Sequence, residues 1–478
     1  MSRKRLALVA INSFSFRFLS ESGILAQLCQ SPGLHCAMIS PNPAHQAYLA
    51  DLPSAQAQWH RLNQPHSDLS ILPPRRLPER AWAYLHRLLR AGPLRKRAEF
   101  ANLYYRFSEI HQFVRFLDRK HFSPEKKRFE ETRAVFLDEA YGRPFPKSER
   151  VFKWLYDFHY APWQVPDMYV EAFFEAYQPD AVVLLHVQNT MVKPYALAAQ
   201  KRGIPLLGLV ASWDQPSLSG PMVPGIDRYL VASRMMRDHL QKFHQVAPEK
   251  VDLIGWPQLD VYHQPEKLLS REAFLESLKL PPDHKLLLWA SYPTHWVAYE
   301  PSILAHVVAQ VKAGAYGDNM SLIIRPHPLD NQAERLKAYE HFPQVIVESP
   351  ELGRLDHLIN LLRHAAAMIA PASTITLDAS VADTPLINIA WDGEAQVSPM
   401  ESCERWYLAD HYREVVQTGG VSLAKSYEQL DQMILGYLQD PKAHAEGRAR
   451  LREYLVEPCD GQSAGRFVQA LQAALASF

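Results

Sequence analysis

The sequence predicts an α/β protein with two doubly wound parallel sheets in one chain of 478 residues. Three observations carry that expectation. Short apolar runs alternate with helical patterns near the start of the chain and again between about residues 179 and 391. The runs are continuously apolar, the pattern of strands covered by helices on both faces. They also form two series, separated by the charged segment 262–285, where the interdomain link is expected.

The first series opens with the strand Arg5–Ile11, a polar loop (NSFSFRFLSESG), a helix near 23–30 and the strand Leu34–Ile39. Basic residues before the first run imitate a signal peptide. The run Leu6–Ile11 is too short for that and stops at Asn12-Ser13. The series resumes with Pro179–His186, the helix MVKPYALAAQKRG and the strand Ile204–Ala211. Asp227–Ala232, the helix RMMRDHLQKF and Val251–Gly255 continue it. The second series runs His284–Ala290, a helix near 300–313, Met320–Pro326, a helix near 331–340 and Gln344–Ser349. It finishes with a helix near 355–364, Ala366–Pro371, a helix from Ser373 and Pro385–Trp391. The expected domains are therefore 1–260 and 265–455. The first carries a non-alternating helical insertion over about 65–175.

Composition narrows the function. Hydrophobic residues make up 47% and charged residues 21%, as in a soluble globular enzyme. The net charge is zero, which gives no general attraction to nucleic acid. Cys29, Cys36, Cys403 and Cys459 form no CxxC pair and no cluster with histidine, so they read as reduced thiols of a cytosolic protein. No stretch approaches the roughly 18 apolar residues of a membrane span. There is no G-x-G-x-x-G, no Walker loop and no DxD-type carboxylate pair. A dinucleotide cofactor is disfavoured, and metal-independent chemistry is expected. Between Arg75 and Arg133 sixteen Lys/Arg face seven Asp/Glu, a net of +9. With Trp82, Tyr84, Tyr104, Tyr105, Phe113 and Phe116, this stretch suits an anionic acceptor or an anionic membrane surface. It equally suits a helical cap on the acceptor side with the aromatics buried.

In doubly wound sheets, ligands bind outside the carboxyl ends of the strands. That rule selects His327, held between Pro326 and Pro328 beyond a strand expected to be central, and Arg325 two residues before it. A cation and an imidazole at one strand end suit a phosphate. The alternative makes Arg325 an ion-pair partner and His327 a turn residue. Ser373 and Thr374 open a helix after another strand, where backbone N–H groups and hydroxyls attract an anion. Asp378, one turn on, suits ribose hydroxyls. Ser291, Thr294 and His295 follow a third strand end and are expected to line the same site. At the strand ends of the first half, Asp214 in SWDQPSLSG is the first candidate for a general base acting on an acceptor hydroxyl, and His186 the second.

The ordered series GWPQLD (255–260), KLLLWASYPTHW, RPHP, LDHLINLLRHAAAMIAPASTITLDAS and CDGQSAGRF (459–467) resembles the GT-B-fold glycosyltransferases. Within them it is most similar to the CDP-glycerol glycerophosphotransferase and surface-polysaccharide transferase group, over about 255–470. His327-Pro328 with Ser373-Thr374 also resembles the His-Pro and Ser-Ser/Thr pairs of bacterial sialyltransferases, which hold the phosphate of a CMP-sugar. The resemblance implies two Rossmann-like domains facing across a cleft and a C-terminal helix, 456–478, that crosses back to the first domain. It implies transfer of a sugar from a CMP-, CDP- or UDP-linked donor to a hydroxyl of a glycan or glycolipid, in a cytoplasmic enzyme of surface polysaccharide synthesis; peripheral contact with the inner membrane face is the expectation drawn from the basic, aromatic stretch Arg75–Arg133, with the helical cap as its alternative. Where glycerophosphotransferases carry His-Gly in the first-half loop, this chain has Trp213-Asp214, which favours sugar over glycerol phosphate. Glycerol- or ribitol-phosphate transfer, sugar-nucleotide 2-epimerisation and a non-catalytic scaffold are the alternatives.

Overall fold

A computed structural model describes residues 3–50 except 12 and 43, 57–61, 168–348 except 189–191, 219–221, 224, 245, 294–296, 298, 329 and 331, then 355–397 and 402–477. The basic stretch Arg75–Arg133 and most of the expected insertion lie outside the described residues. The chain divides into two compact units. One holds the described residues up to Gln258 and again from Gln462; the other runs Leu259–Gly461. The division at Gln258/Leu259 falls just before the segment 262–285, expected to contain the link. That segment instead packs in the second unit: Phe274 and Leu275 are buried, and Arg271 donates to the carbonyl of His364 at 3.0 Å.

The first unit is a seven-stranded parallel sheet. Its strands are β1 (Lys4–Val9), β2 (Leu34–Ser40), β3 (Ala57–Arg61), β4 (Ala181–Leu184), β5 (Leu206–Leu209), β6 (Arg228–Val231) and β7 (Val251–Leu253), in the order β3-β2-β1-β4-β5-β6-β7. The order reverses between β1 and β4. Leu6, Leu8 and Val183 are fully buried, as continuous apolar runs demand. The polar loop expected after β1 is a helix, Ser13–Glu21. Phe16 and Leu19, three apart, turn one face inward although serines flank them at Ser15 and Ser20. The last helix, Ser463–Ser477, buries Phe467 and Leu471 in this unit's core, and Arg466 donates to the carbonyl of Ile254 at 2.9 Å.

The second unit is a six-stranded parallel sheet. It comprises β8 (Lys285–Ala290), β9 (Met320–Arg325), β10 (Val345–Val347), β11 (Ala365–Ala370), β12 (Leu386–Ile389) and β13 (Val421–Ala424), in the order β10-β9-β8-β11-β12-β13. Here the switch lies between β8 and β11. The strand carrying Arg325 is therefore second from the edge, not central. The helix expected near 331–340 is a tighter 3-10 turn, Ala333–Tyr339. Among the described residues no helix is long and apolar enough to cross a membrane.

Candidate functional site

In the second unit the loops beyond β8 and β11 flank the switch point, where ligands bind in such sheets. The loop after β11 is held from below. Asn388 of β12 donates to the carbonyls of Ala370 at 2.9 Å and Pro371 at 3.2 Å, and Tyr412 donates to Asn388 Oδ1 at 2.6 Å. Ser373 Oγ lies 3.3 Å from the Pro371 carbonyl. The helix Ile375–Ala382 then begins at Thr374, which is exposed, and no side chain caps it. An uncapped helix start beside two hydroxyls offers donors to an anion.

His327 reaches this region through an aromatic contact. Its ring sits edge-on to Tyr292, from the loop after β8, with centroids 5.2 Å apart, and Tyr292 packs edge-on to Trp406 at 5.5 Å. Burial lowers the imidazole below its ordinary range and Asp330 only partly opposes this, so the ring is neutral at pH 7. The loop carrying it is anchored by charge. Asp330 N donates to the His327 carbonyl at 2.9 Å, and Arg335 pairs with both Asp330 and Glu300. Glu300 in turn accepts from Trp289 Nε1 and Tyr292 N, each at 3.2 Å, and from Ser291 Oγ. Ser291, expected to line the site, is thus 5% exposed and turned towards Glu300, because a buried carboxylate needs all its donors. Thr294 and His295 lie outside the described residues.

Arg325 does not stand open for a phosphate. Its Nη1 lies 2.6 Å from Glu348 Oε2, and His357 binds the other carboxylate oxygen. The alternative reading, an ion-pair partner, describes its contacts. Burial by itself would raise the Glu348 carboxyl, but the His357 hydrogen bond and the Arg325 charge outweigh it and hold it below the usual range. Arg325 still acts on the site at a distance, since its charge reaches Asp378 and Tyr262. Tyr262 donates to Asp378 Oδ1 at 2.9 Å. Burial raises the Asp378 carboxyl to about 6, against the pull of Tyr262, a backbone N–H and Arg325.

That shift has a testable sign. An unfolded aspartate titrates near about 3.9. Between about pH 4 and 6 the folded chain holds the extra proton, so stability falls as pH rises through that window and the loss is complete above it. Asp378→Asn keeps the acceptor for Tyr262 and removes the charge. Urea unfolding should find it more stable than the parent by about 1–3 kcal/mol at pH 8 and equal at pH 4. A difference independent of pH would contradict the assignment.

In the first unit, His186 follows β4 and Asp214 follows β5, both near the switch between β1 and β4. The structure joins them through a residue the sequence did not single out. Gln215 Nε2 lies 2.8 Å from His186 Nε2, and Asp214 accepts from the Ser212 hydroxyl. Burial lowers the His186 imidazole, while the Asp214 charge raises it in part. Lys193, at the start of the helix after β4, is 4% exposed, and burial pushes its ammonium down to about 7. Glu348, His357, Tyr262, Gln215 and Lys193 were all missed. Tyr262, Gln215, Glu348 and His357 are defined by partners from other elements and Lys193 by its burial, and no local motif marks any of them.

The family model described as CDP-Glycerol:Poly(glycerophosphate) glycerophosphotransferase matches residues 214–472. No curated protein matches the chain. Among solved structures, a Listeria monocytogenes protein assigned as a UDP-N-acetylglucosamine 2-epimerase is 12% identical, covering 100% of this chain and 98% of its own, with a TM-score of 0.54. The UDP-GlcNAc 2-epimerase of Methanocaldococcus jannaschii is 14% identical over 98% of this chain and 99% of its own, at 0.52. That of Neisseria meningitidis, bound to UDP-GlcNAc, is 12% identical over 98% and 100%, at 0.51. At such identities the likeness shows the fold, that of the GT-B group.

Proposed function

Because the chain belongs to the CDP-glycerol:poly(glycerophosphate) glycerophosphotransferase family, matched over more than half its length, we propose that it transfers a sugar from a nucleotide-linked donor to a hydroxyl of a glycan or glycolipid. The observation that carries this reading is the uncapped helix start at Ser373-Thr374, at the switch point of the second sheet, with His327 packed on Tyr292 of the loop after β8 that flanks the same switch. These groups are assigned to the donor phosphate, where they oppose the charge that grows on the leaving nucleotide as the glycosidic bond breaks. Arg325, already paired with Glu348, contributes its field rather than a direct bond, and Asp378 accepts from a ribose hydroxyl. Asp214 is assigned to take the proton of the acceptor hydroxyl, with His186 beside it. No metal step is required by this scheme.

A second reading is glycerol- or ribitol-phosphate transfer, which the family description favours. The two differ in the bond broken. A CDP-alditol would release CMP and form a phosphodiester, whereas a nucleoside-diphosphate sugar would release the diphosphate and form a glycoside. A thermal-shift panel of CMP, CDP, UDP, GDP and TDP chooses the donor class, since a ligand at 100 times its Kd stabilises by about 2.7 kcal/mol. His327→Ala should weaken the shift and lower turnover roughly a hundredfold. No shift with any nucleotide would favour a scaffold, and an unchanged His327→Ala would remove that residue from the site. Interconversion of a sugar nucleotide without acceptor would favour epimerisation.

The enzyme is proposed to work in the cytosol, with the net +9 stretch Arg75–Arg133 drawing it to the inner membrane face. Co-sedimentation with anionic vesicles should then fall steeply with salt. Equal binding to neutral vesicles, or none, would leave that stretch to the acceptor.

A further inference from the structure

We infer that Gln215 is a positioning residue that holds His186 in the Nδ1-protonated tautomer, leaving Asp214 as the proton acceptor of the pair. The argument starts from two backbone donors. Ala211 N and Ser212 N both point at the Gln215 carboxamide, at 3.0 and 3.3 Å. The atom they meet must therefore be the oxygen. The amide nitrogen then faces His186 Nε2, 2.8 Å away. An amide N–H can only donate, so Nε2 must present its lone pair. A neutral imidazole carries one proton, which is placed on Nδ1.

The arrangement is held from several sides. Gln215 is 7% exposed, and its carbonyl accepts from Gln188 Nε2 at 2.9 Å. His244 holds the far end of the same loop through the Pro216 carbonyl at 2.8 Å. Asp214 is the charged group that acts on His186, and burial keeps the ring neutral. A proton arriving at His186 Nε2 would set two donors against each other and cost the Gln215 hydrogen bond. His186 is thereby disfavoured as a base at Nε2. Asp214, whose carboxylate is steadied by the Ser212 hydroxyl, has no such obstacle.

The inference deepens the proposed acceptor chemistry and rests on that reading only for its catalytic meaning; the tautomer itself can be measured without any donor. Nitrogen-15 spectra of histidine-labelled full-length protein at pH 8, with the His186 signals assigned by their loss in His186→Asn, should show the proton on Nδ1. Gln215→Glu keeps an oxygen for Ala211 N and Ser212 N but replaces the amide donor with an acceptor, so the proton should move to Nε2. If Gln215 only caps the loop, this variant would leave the tautomer unchanged, which would overturn the inference. A wild-type proton on Nε2 would overturn it too, even if the variant failed to fold. Where a donor has been found, turnover of Gln215→Glu should drop at least tenfold with KM little changed. Absence of any donor turnover would count against the proposed function and leave the spectral result standing.

Discussion

Asp214→Asn is expected to lower turnover by about two to four orders of magnitude, the usual contribution of a positioned general base. Nucleotide-induced stabilisation should be unaffected, because the groups assigned to the phosphate lie in the other compact unit. The asparagine can still accept from the Ser212 hydroxyl, so the loop of Trp213 and Gln215 should persist. Trp213 is 2% exposed, and its fluorescence offers a check that it does. The decisive measurement is kcat with a saturating donor. A loss of less than tenfold would remove Asp214 from the base role.

Arg335→Leu should strongly destabilise the second unit. Arg335 is the shared partner of Glu300 and Asp330, whose side chains are 2% and 0% exposed. Its removal leaves two buried carboxylates facing each other without their cation. Breaking a buried pair this way costs about 3–5 kcal/mol. The damage should extend beyond stability, since the same network fixes the loop of His327 and the Tyr292 backbone. Urea unfolding measures the first effect and nucleotide-induced stabilisation the second. Arg335→Leu combined with Glu300→Gln and Asp330→Asn should recover part of the loss, because the stranded charges are gone. A single variant as stable as the parent would refute the account.

The local pattern of the sequence was enough to recognise two parallel sheets and the residues at their strand ends. Strands buried on both faces must be continuously apolar, and that signal lies within a few neighbouring residues, as in Leu6–Val9 and Leu286–Ala290. The same locality hid the helix Ser13–Glu21, whose inward face rests on Phe16 and Leu19 among serines. Ser373-Thr374 at a helix start and His327 beyond β9 were legible, because a strand followed by a turn or helix places them by chain order alone. Which charges are committed was not. Arg325 meets Glu348 across 23 residues of sequence, Gln215 meets His186 across 29, and Tyr262 meets Asp378 across 116. Those pairings depend on strand order, and strand order decided that β9 stands next to the edge while β8 and β11 frame the switch. Apolar burial is a property of each segment and can be seen in its own residues. Pairing of polar groups depends on which segments become neighbours, so only the tertiary structure shows that Arg325 and Ser291 are already committed to other partners.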